Sequence, residues 1–147
     1  MVFKRVLAIV LAAVCLCLSF SLSVFAETTH LKIDVGVSPA YEIAKNPTSN
    51  LSINGQTAFC TSTTDGVDTV SITVEQTLEK YSGWFWIWND VDNTSWTRTV
   101  NESTISFSNT KSGLSSGKYR LKSVFTLTKS NGETETIEIY SVEKTVS

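Results

Sequence analysis

Three of the four tryptophans in this 147-residue sequence fall within five positions of one another, in Gly83-Trp84-Phe85-Trp86-Ile87-Trp88. Indole rings do no acid–base work. They offer flat apolar area that stacks on sugar rings, fills a partner's pocket or lies at a lipid interface. On a strand, alternation puts Trp84, Trp86 and Trp88 on one face and Phe85, Ile87 and Val91 on the other. Facing outward, the three would present roughly 450–750 Å² of aromatic surface at about 150–250 Å² each. The largest apolar patch of an ordinary monomer is about 300–600 Å². Trp84, Trp86 and Trp88 are therefore the candidate binding residues. Because such stripes rarely stay exposed, at least one of the three is expected to be buried in the core.

Nucleophilic and metal chemistry have little to work with. His30 is the only histidine, and Cys60 is the only cysteine beyond residue 26. Neither a His/Cys metal cluster nor a Ser-His-Asp constellation can be assembled from them. Asp65/Asp68 and Asp90/Asp92 could in principle bind calcium or hydrolyse glycosides. Each pair falls between strand-like runs, where Asp serves turn geometry, and neither has the glycine and ligand spacing of a calcium loop. Catalytic residues, metal and cofactor are all expected to be none, which makes the chain a non-enzyme. Lys118, Arg120 and Lys122 share a strand face, but three cations without interleaved aromatics read as a solvated surface. Three Asn-X-Ser matches, at Asn50, Asn93 and Asn101, read as chance in so Ser-rich a chain.

The first twenty-six residues carry none of these candidate sites. Lys4 and Arg5 precede a thirteen-residue apolar run from Val6 to Leu18, and Val24-Phe25-Ala26 places small residues at the third and first positions before a cleavage point. That is the pattern of a secretory signal peptide, residues 1–26, removed before Glu27. The apolar run falls short of the roughly 20 residues that span a bilayer. Cys15 and Cys17 also lack the flanking triplet of a lipidated cysteine. Membrane contact is accordingly expected only through the signal peptide before cleavage.

The remaining 121 residues are the size of one domain. They carry ten basic and fourteen acidic residues, a formal charge of −4, so nucleic acid is not an expected partner. With Cys60 alone, no internal disulfide can form, which suits a bacterial exported protein better than an animal one. Cys60 reads as a small buried apolar residue. Ser and Thr supply 37 of the 121 residues, a composition suited to sheet faces that meet water.

Residues 27–49 read as an N-terminal arm or edge strand, with a short alternation from Leu31 to Val37 followed by Pro39 and Pro47, which break regular structure. From residue 50 onward, strand-like runs recur: Leu51–Ser62, Val67–Leu78, Trp84–Val91, Trp96–Val100, Thr104–Phe107, Lys118–Thr128 and Glu133–Val146. The second run also satisfies helical spacing, but its β-branched series Thr69-Val70-Ser71-Ile72-Thr73-Val74 favours a strand with Val70, Ile72, Val74 and Leu78 on one face. Phe125 and Leu127 must share the core face with Ile137 and Ile139. All four numbers are odd, so the last hairpin needs an odd-numbered loop, Ser130-Asn131-Gly132, with Phe125 opposite Ile137.

Leu114-Ser115-Ser116-Gly117-Lys118-Tyr119, just before the sixth run, resembles the tyrosine corner of immunoglobulin-like and fibronectin-like sandwiches, with Leu114, Gly117 and Tyr119 as its structural residues. In disulfide-bearing relatives of that kind the second cysteine follows the tyrosine by two, a place taken here by Leu121. Ser52-Ile53-Asn54-Gly55-Gln56-Thr57-Ala58-Phe59-Cys60, Gln76-Thr77-Leu78-Glu79-Lys80, the tryptophan-containing run, Gly117-Lys118-Tyr119-Arg120 and Gly132-Glu133 together resemble a family of short exported Gram-positive bacterial proteins without an assigned activity. The resemblance spans about residues 50–147 and implies compartment and fold, with no functional residue to transfer. The expectation is an all-β, immunoglobulin-like antiparallel β-sandwich of about seven strands over residues 50–147. It would be secreted and non-catalytic, binding a protein or glycan outside the cell. The alternatives are a carbohydrate-binding module using the aromatic residues of the third run, or a secreted membrane-active effector.

Overall fold

The structure, a computed structural model, describes residues 41–147. The expected signal peptide, His30 and the arm as far as residue 40 lie outside the described residues. The described chain is all-β. It forms β1 (Ala44–Asn54), β2 (Thr57–Gly66), β3 (Thr69–Ser82), β4 (Ile87–Val100), β5 (Thr104–Lys111), β6 (Gly117–Lys129), β7 (Thr134–Tyr140) and β8 (Lys144–Val146). One antiparallel sheet has the order β1-β2-β5. The other has the order β4-β3-β6-β7, with β8 also pairing β6.

Period-two alternation builds the interior. Ile72, Val74, Gln76 and Leu78 of β3 point inward, as do Tyr119, Leu121, Ser123, Phe125 and Leu127 of β6. Across from them lie Ala58, Cys60, Ser62 and Thr64 of β2. These positions form two apolar clusters. One gathers Ile72, Val74, Ile105, Phe125 and Leu127, and the other gathers Leu51, Cys60, Leu78, Leu114, Tyr119 and Leu121.

The buried polar side chains of Ser62, Gln76 and Ser123 lie midway along these strands, within one hydrogen-bonded chain. Asn109 Nδ2 donates to Gln76 Oε1 at 2.8 Å, and Gln76 Nε2 donates to Ser62 Oγ at 2.6 Å and to the Phe107 carbonyl at 3.0 Å. Ser62 and Ser123 hydroxyls meet at 2.7 Å. Ser123 donates onward to Ser49 at 2.8 Å, and Ser49 to the Leu121 carbonyl at 3.1 Å. Since the Ser123 proton is committed to Ser49, Ser62 donates to Ser123 and the chain runs in one direction from β5 to β6. Aligned donors of this kind polarise one another and strengthen each bond.

Several expected runs are divided differently. Leu51–Ser62 is two strands, because Gly55-Gln56 turns the chain and pairs Asn54 with Thr57. The boundary expected at residue 50 falls inside β1. Pro47 does not end that strand because it sits at an irregularity between Lys45 and Thr48, with Asn46 at φ 51°, on an edge strand where a missing N–H is tolerated. Val70 is exposed rather than inward, since the β3–β6 register slips between Thr69 and Ser71. The last run breaks around Ser141, whose N–H donates to the Leu121 carbonyl at 2.9 Å. Its hydroxyl oxygen accepts the Leu121 N–H, also at 2.9 Å.

The final hairpin follows the parity argument. Phe125 pairs with Ile137, Lys129 N–H bonds to the Glu133 carbonyl at 2.8 Å, and Gly132 takes the left-handed position at φ 85°.

Candidate binding site

The aromatic run is placed by the β3–β4 hairpin. Lys80 pairs with Asn89, Tyr81 with Trp88 and Ser82 with Ile87, so only Gly83-Trp84-Phe85-Trp86 remain to turn the chain. Within the turn, the Phe85 N–H donates to the Ser82 carbonyl at 3.3 Å. Trp86 adopts φ 57°, a left-handed conformation that costs a bulky residue on the order of 1–3 kcal/mol. Trp84 is 91% exposed, Phe85 74% and Trp86 82%.

The expected strand alternation of Trp84, Trp86 and Trp88 is therefore corrected, because two of the three lie in a turn. The expectation that one of them fills the core also fails, since none is buried. Trp96, the fourth tryptophan, packs partly buried against the second apolar cluster.

Trp88 stands apart from the other two on the outer face of the five-strand sheet. Its ring lies 5.3 Å from that of Tyr81, and the Arg120 guanidinium sits 4.3 Å above it. Arg120 is also 3.9 Å from the Tyr140 ring, while its Nε reaches Glu79 at 2.5 Å. An aromatic–cation–aromatic stack thus crosses the sheet. Burial and the Glu138 carboxylate push the Tyr140 hydroxyl up to about 12. The bond from Tyr140 and the nearby Lys122 hold Glu138 below the usual carboxylate range.

The cationic stripe of β6 is matched charge for charge. Lys118 meets Glu143 at 3.3 Å, Arg120 meets Glu79, and Lys122 meets Glu138 at 3.2 Å. Little unpaired positive charge is left on that face to attract an anion.

Below the hairpin an open cleft of about 430 Å³ is lined by Tyr81, Asn89, Asp90, Asp92, Lys111 and the β5–β6 connection. One wall is an expansion of β4 in which Val91–Thr94 oppose the single Leu78 of β3. It is braced by Thr94 Oγ1, which donates to the Val91 carbonyl at 2.6 Å, and by Lys111, which donates to the Asp92 carbonyl at 3.0 Å.

The other wall holds Leu114 and Tyr119, with Gly117 packed against Lys80 beside it. Leu114 is buried, and its N–H donates to the Gln56 carbonyl at 3.0 Å. The buried Tyr119 donates its hydroxyl to the Ser115 carbonyl at 2.7 Å. Gly117, at φ 148°, leaves room for Lys80: a Cβ there would stand 2.7 Å from Lys80 Cε. The Lys80 ammonium lies 5.5 Å from the Tyr119 ring centre and donates to Ser115 Oγ at 2.6 Å.

The carboxylate pairs do not sit between strands as expected: Asp65 lies within β2, Asp90 and Asp92 lie within β4, and only Asp68 is in a connection. Asp65 accepts a bond from Thr104 at 2.9 Å, and Asp68 turns the chain at φ 53°. Among the described residues no three His, Cys, Asp or Glu side chains come close enough to hold a metal ion. Sequence reasoning missed the stack around Arg120, because Glu79, Trp88 and Tyr140 come from three different strands. It also missed the turn at Gly83, although Ser82-Gly83 was a usable turn signal.

No protein-family model matches this chain, and no curated protein does either. Among solved structures, OgpA from Akkermansia muciniphila is similar at 16% identity and a TM-score of 0.35, over 71% of this chain and 31% of that one. The sporulation control protein Spo0M from Bacillus subtilis is similar at 13% identity and a TM-score of 0.32, over 69% of this chain and 49% of that one. This chain thus spans a third to a half of those proteins, and likenesses so loose carry no functional argument.

Proposed function

We propose that this chain is an exported, non-catalytic immunoglobulin-like domain that binds a partner outside the cell through the tip of its β3–β4 hairpin. The strand order β1-β2-β5 against β4-β3-β6-β7 and the Tyr119 hydroxyl turned back to Ser115 support the immunoglobulin-like reading. The signal pattern of residues 1–26 supports export, and the sequence resemblance points to a Gram-positive source.

The observation that carries the binding role is the exposure of Trp84, Phe85 and Trp86 together on one four-residue turn. Large aromatics held in water on adjacent positions disfavour the free state, and covering them favours a complex. The left-handed Trp86 adds backbone strain at the same place, a common companion of functional loops.

The test is binding of the labelled protein to intact bacterial and host cells, against a Trp84→Ser/Trp86→Gly variant that melts cooperatively. Loss of cell binding in the variant is the expected result. Equal binding by both proteins would remove the tip from the account, and N-terminal sequencing of the protein in the medium should begin at Glu27.

A carbohydrate-binding reading is favoured by one feature, the cleft that sets the Tyr81 ring beside Asn89, Asp90 and Asp92. An aromatic face flanked by amide and carboxylate acceptors suits sugar hydroxyls. Polysaccharide pull-down sensitive to Asp90→Asn, with the tip left intact, would select it.

A further inference from the structure

Resting on the tip as the contact surface, we infer that its partner is the interfacial region of a neutral phospholipid bilayer, into which Trp84, Phe85, Trp86 and Ile87 insert. This takes up the membrane-active alternative in place of the expectation that membrane contact ends with the signal peptide.

Shape and charge together select this occupant. The four side chains sit at the end of a two-stranded ribbon, so the apolar surface is convex and needs a receptor that yields around it or a matching cavity. From Tyr81 to Asn89, nine consecutive residues carry no charge. The charged residues that bound them, Lys80 and Asp90, sit on the β3–β4 ladder behind the turn, and Lys80 is bonded back to Ser115 Oγ. Insertion would therefore dehydrate no ion, the largest obstacle to entering a membrane.

The side-chain types fit the same setting. Trp is enriched at the membrane–water boundary, where its apolar ring and polar N–H face different media. A sugar site needs hydrogen-bonding groups beside its stacking ring. From Gly83 to Ile87 the only polar side-chain groups are two indole N–H donors.

Depth and electrostatics are bounded by the same facts. Backbone groups without partners cannot enter the hydrocarbon core. The turn, closed by one long bond from Phe85 to Ser82, therefore stays at headgroup level. The exported segment carries a formal charge of −4 and the tip carries none, so anionic lipid should not strengthen binding and added salt should hardly weaken it. Polybasic attachment would show the opposite dependence.

The experiment uses the chain as recovered from its producing cells, with phosphatidylcholine vesicles, vesicles containing phosphatidylglycerol, and brominated phosphatidylcholine. Wild type should sediment with neutral vesicles, shift its tryptophan emission to the blue and be quenched by shallow bromines. The Trp84→Ser/Trp86→Gly variant should lose at least about tenfold in partitioning. Its glycine relieves the left-handed position, so the variant is expected to fold, and Phe85→Ser/Ile87→Ser supplies a second test that leaves both tip indoles as reporters.

Absence of vesicle binding, vesicle binding indifferent to the tip substitutions, or dependence on phosphatidylglycerol would each overturn the lipid assignment. Tip-dependent binding to cells without binding to vesicles would overturn it while leaving the tip as the contact site. If the tip substitutions changed neither, both readings would fall.

Discussion

Tyr119 is a fully buried side chain with one polar atom, and that atom's partner is a backbone carbonyl four residues earlier. Replacing it with phenylalanine keeps the packing and strands the Ser115 carbonyl at the edge of the core. Tyr119→Phe should therefore lower stability by about 1–2 kcal/mol, seen as a reduced urea midpoint with an unchanged slope. Tyr119, Leu114 and Gly117 were legible because they are close in sequence and their spacing is set by a single corner. Arg120 was not. Its role depends on Glu79, Trp88 and Tyr140, which alignment of three strands brings around one guanidinium.

Among the elements, β1 is held at its start by an acid from the opposite sheet. Glu135 of β7 accepts the N–H groups of Glu42, Ile43 and Ala44 at 2.9, 3.1 and 2.8 Å. Burial alone would raise its carboxyl, but these donors outweigh it and hold Glu135 below the usual range. A depressed folded-state value means the stabilisation is fully present above the ordinary Glu value of about 4.3 and is lost as pH falls through the folded value. Thermal midpoints measured downward from pH 5 should fall in wild type, and Glu135→Gln should start lower and fall less. A Glu135→Gln profile parallel to wild type would contradict this.

The β6–β7 register was readable because parity couples four core residues to one loop length. The β3–β4 hairpin was not, since Gly83-Trp84-Phe85-Trp86 alternates as well in a strand as it turns. What decides is that Tyr81 pairs with Trp88 and Ser82 with Ile87, which leaves the tryptophans between them at the tip.

At the scale of the whole molecule, two sheets are joined without a disulfide. Cys60 is 1% exposed, and burial pushes its thiol up to about 12, so it is a packing residue rather than a nucleophile. Polar linkage comes from the chain through Asn109, Gln76, Ser62, Ser123 and Ser49, which crosses between the two apolar clusters. Gln76→Leu would leave Asn109 and Ser62 short of partners and should cost about 2–3 kcal/mol. A calorimetric midpoint unchanged from wild type would show that this chain contributes little to stability.

The amino-acid order by itself determined that the chain is built of strands, which of their residues face inward at Ile72, Val74, Phe125 and Leu127, and the pairing of the last hairpin. Each of these follows from a period of two and from turn chemistry confined to a few neighbours. Only the tertiary structure decided that Trp84 and Trp86 stand at a tip rather than along a strand, that the β6 cations are each met by an acid, and that Gln76, Ser62 and Ser123 close into one hydrogen-bonded chain. Those outcomes depend on where a hairpin turns when its residues alternate equally well in a strand, and on which strands pair in what register, which the packing of both sheets sets at once and no local period records.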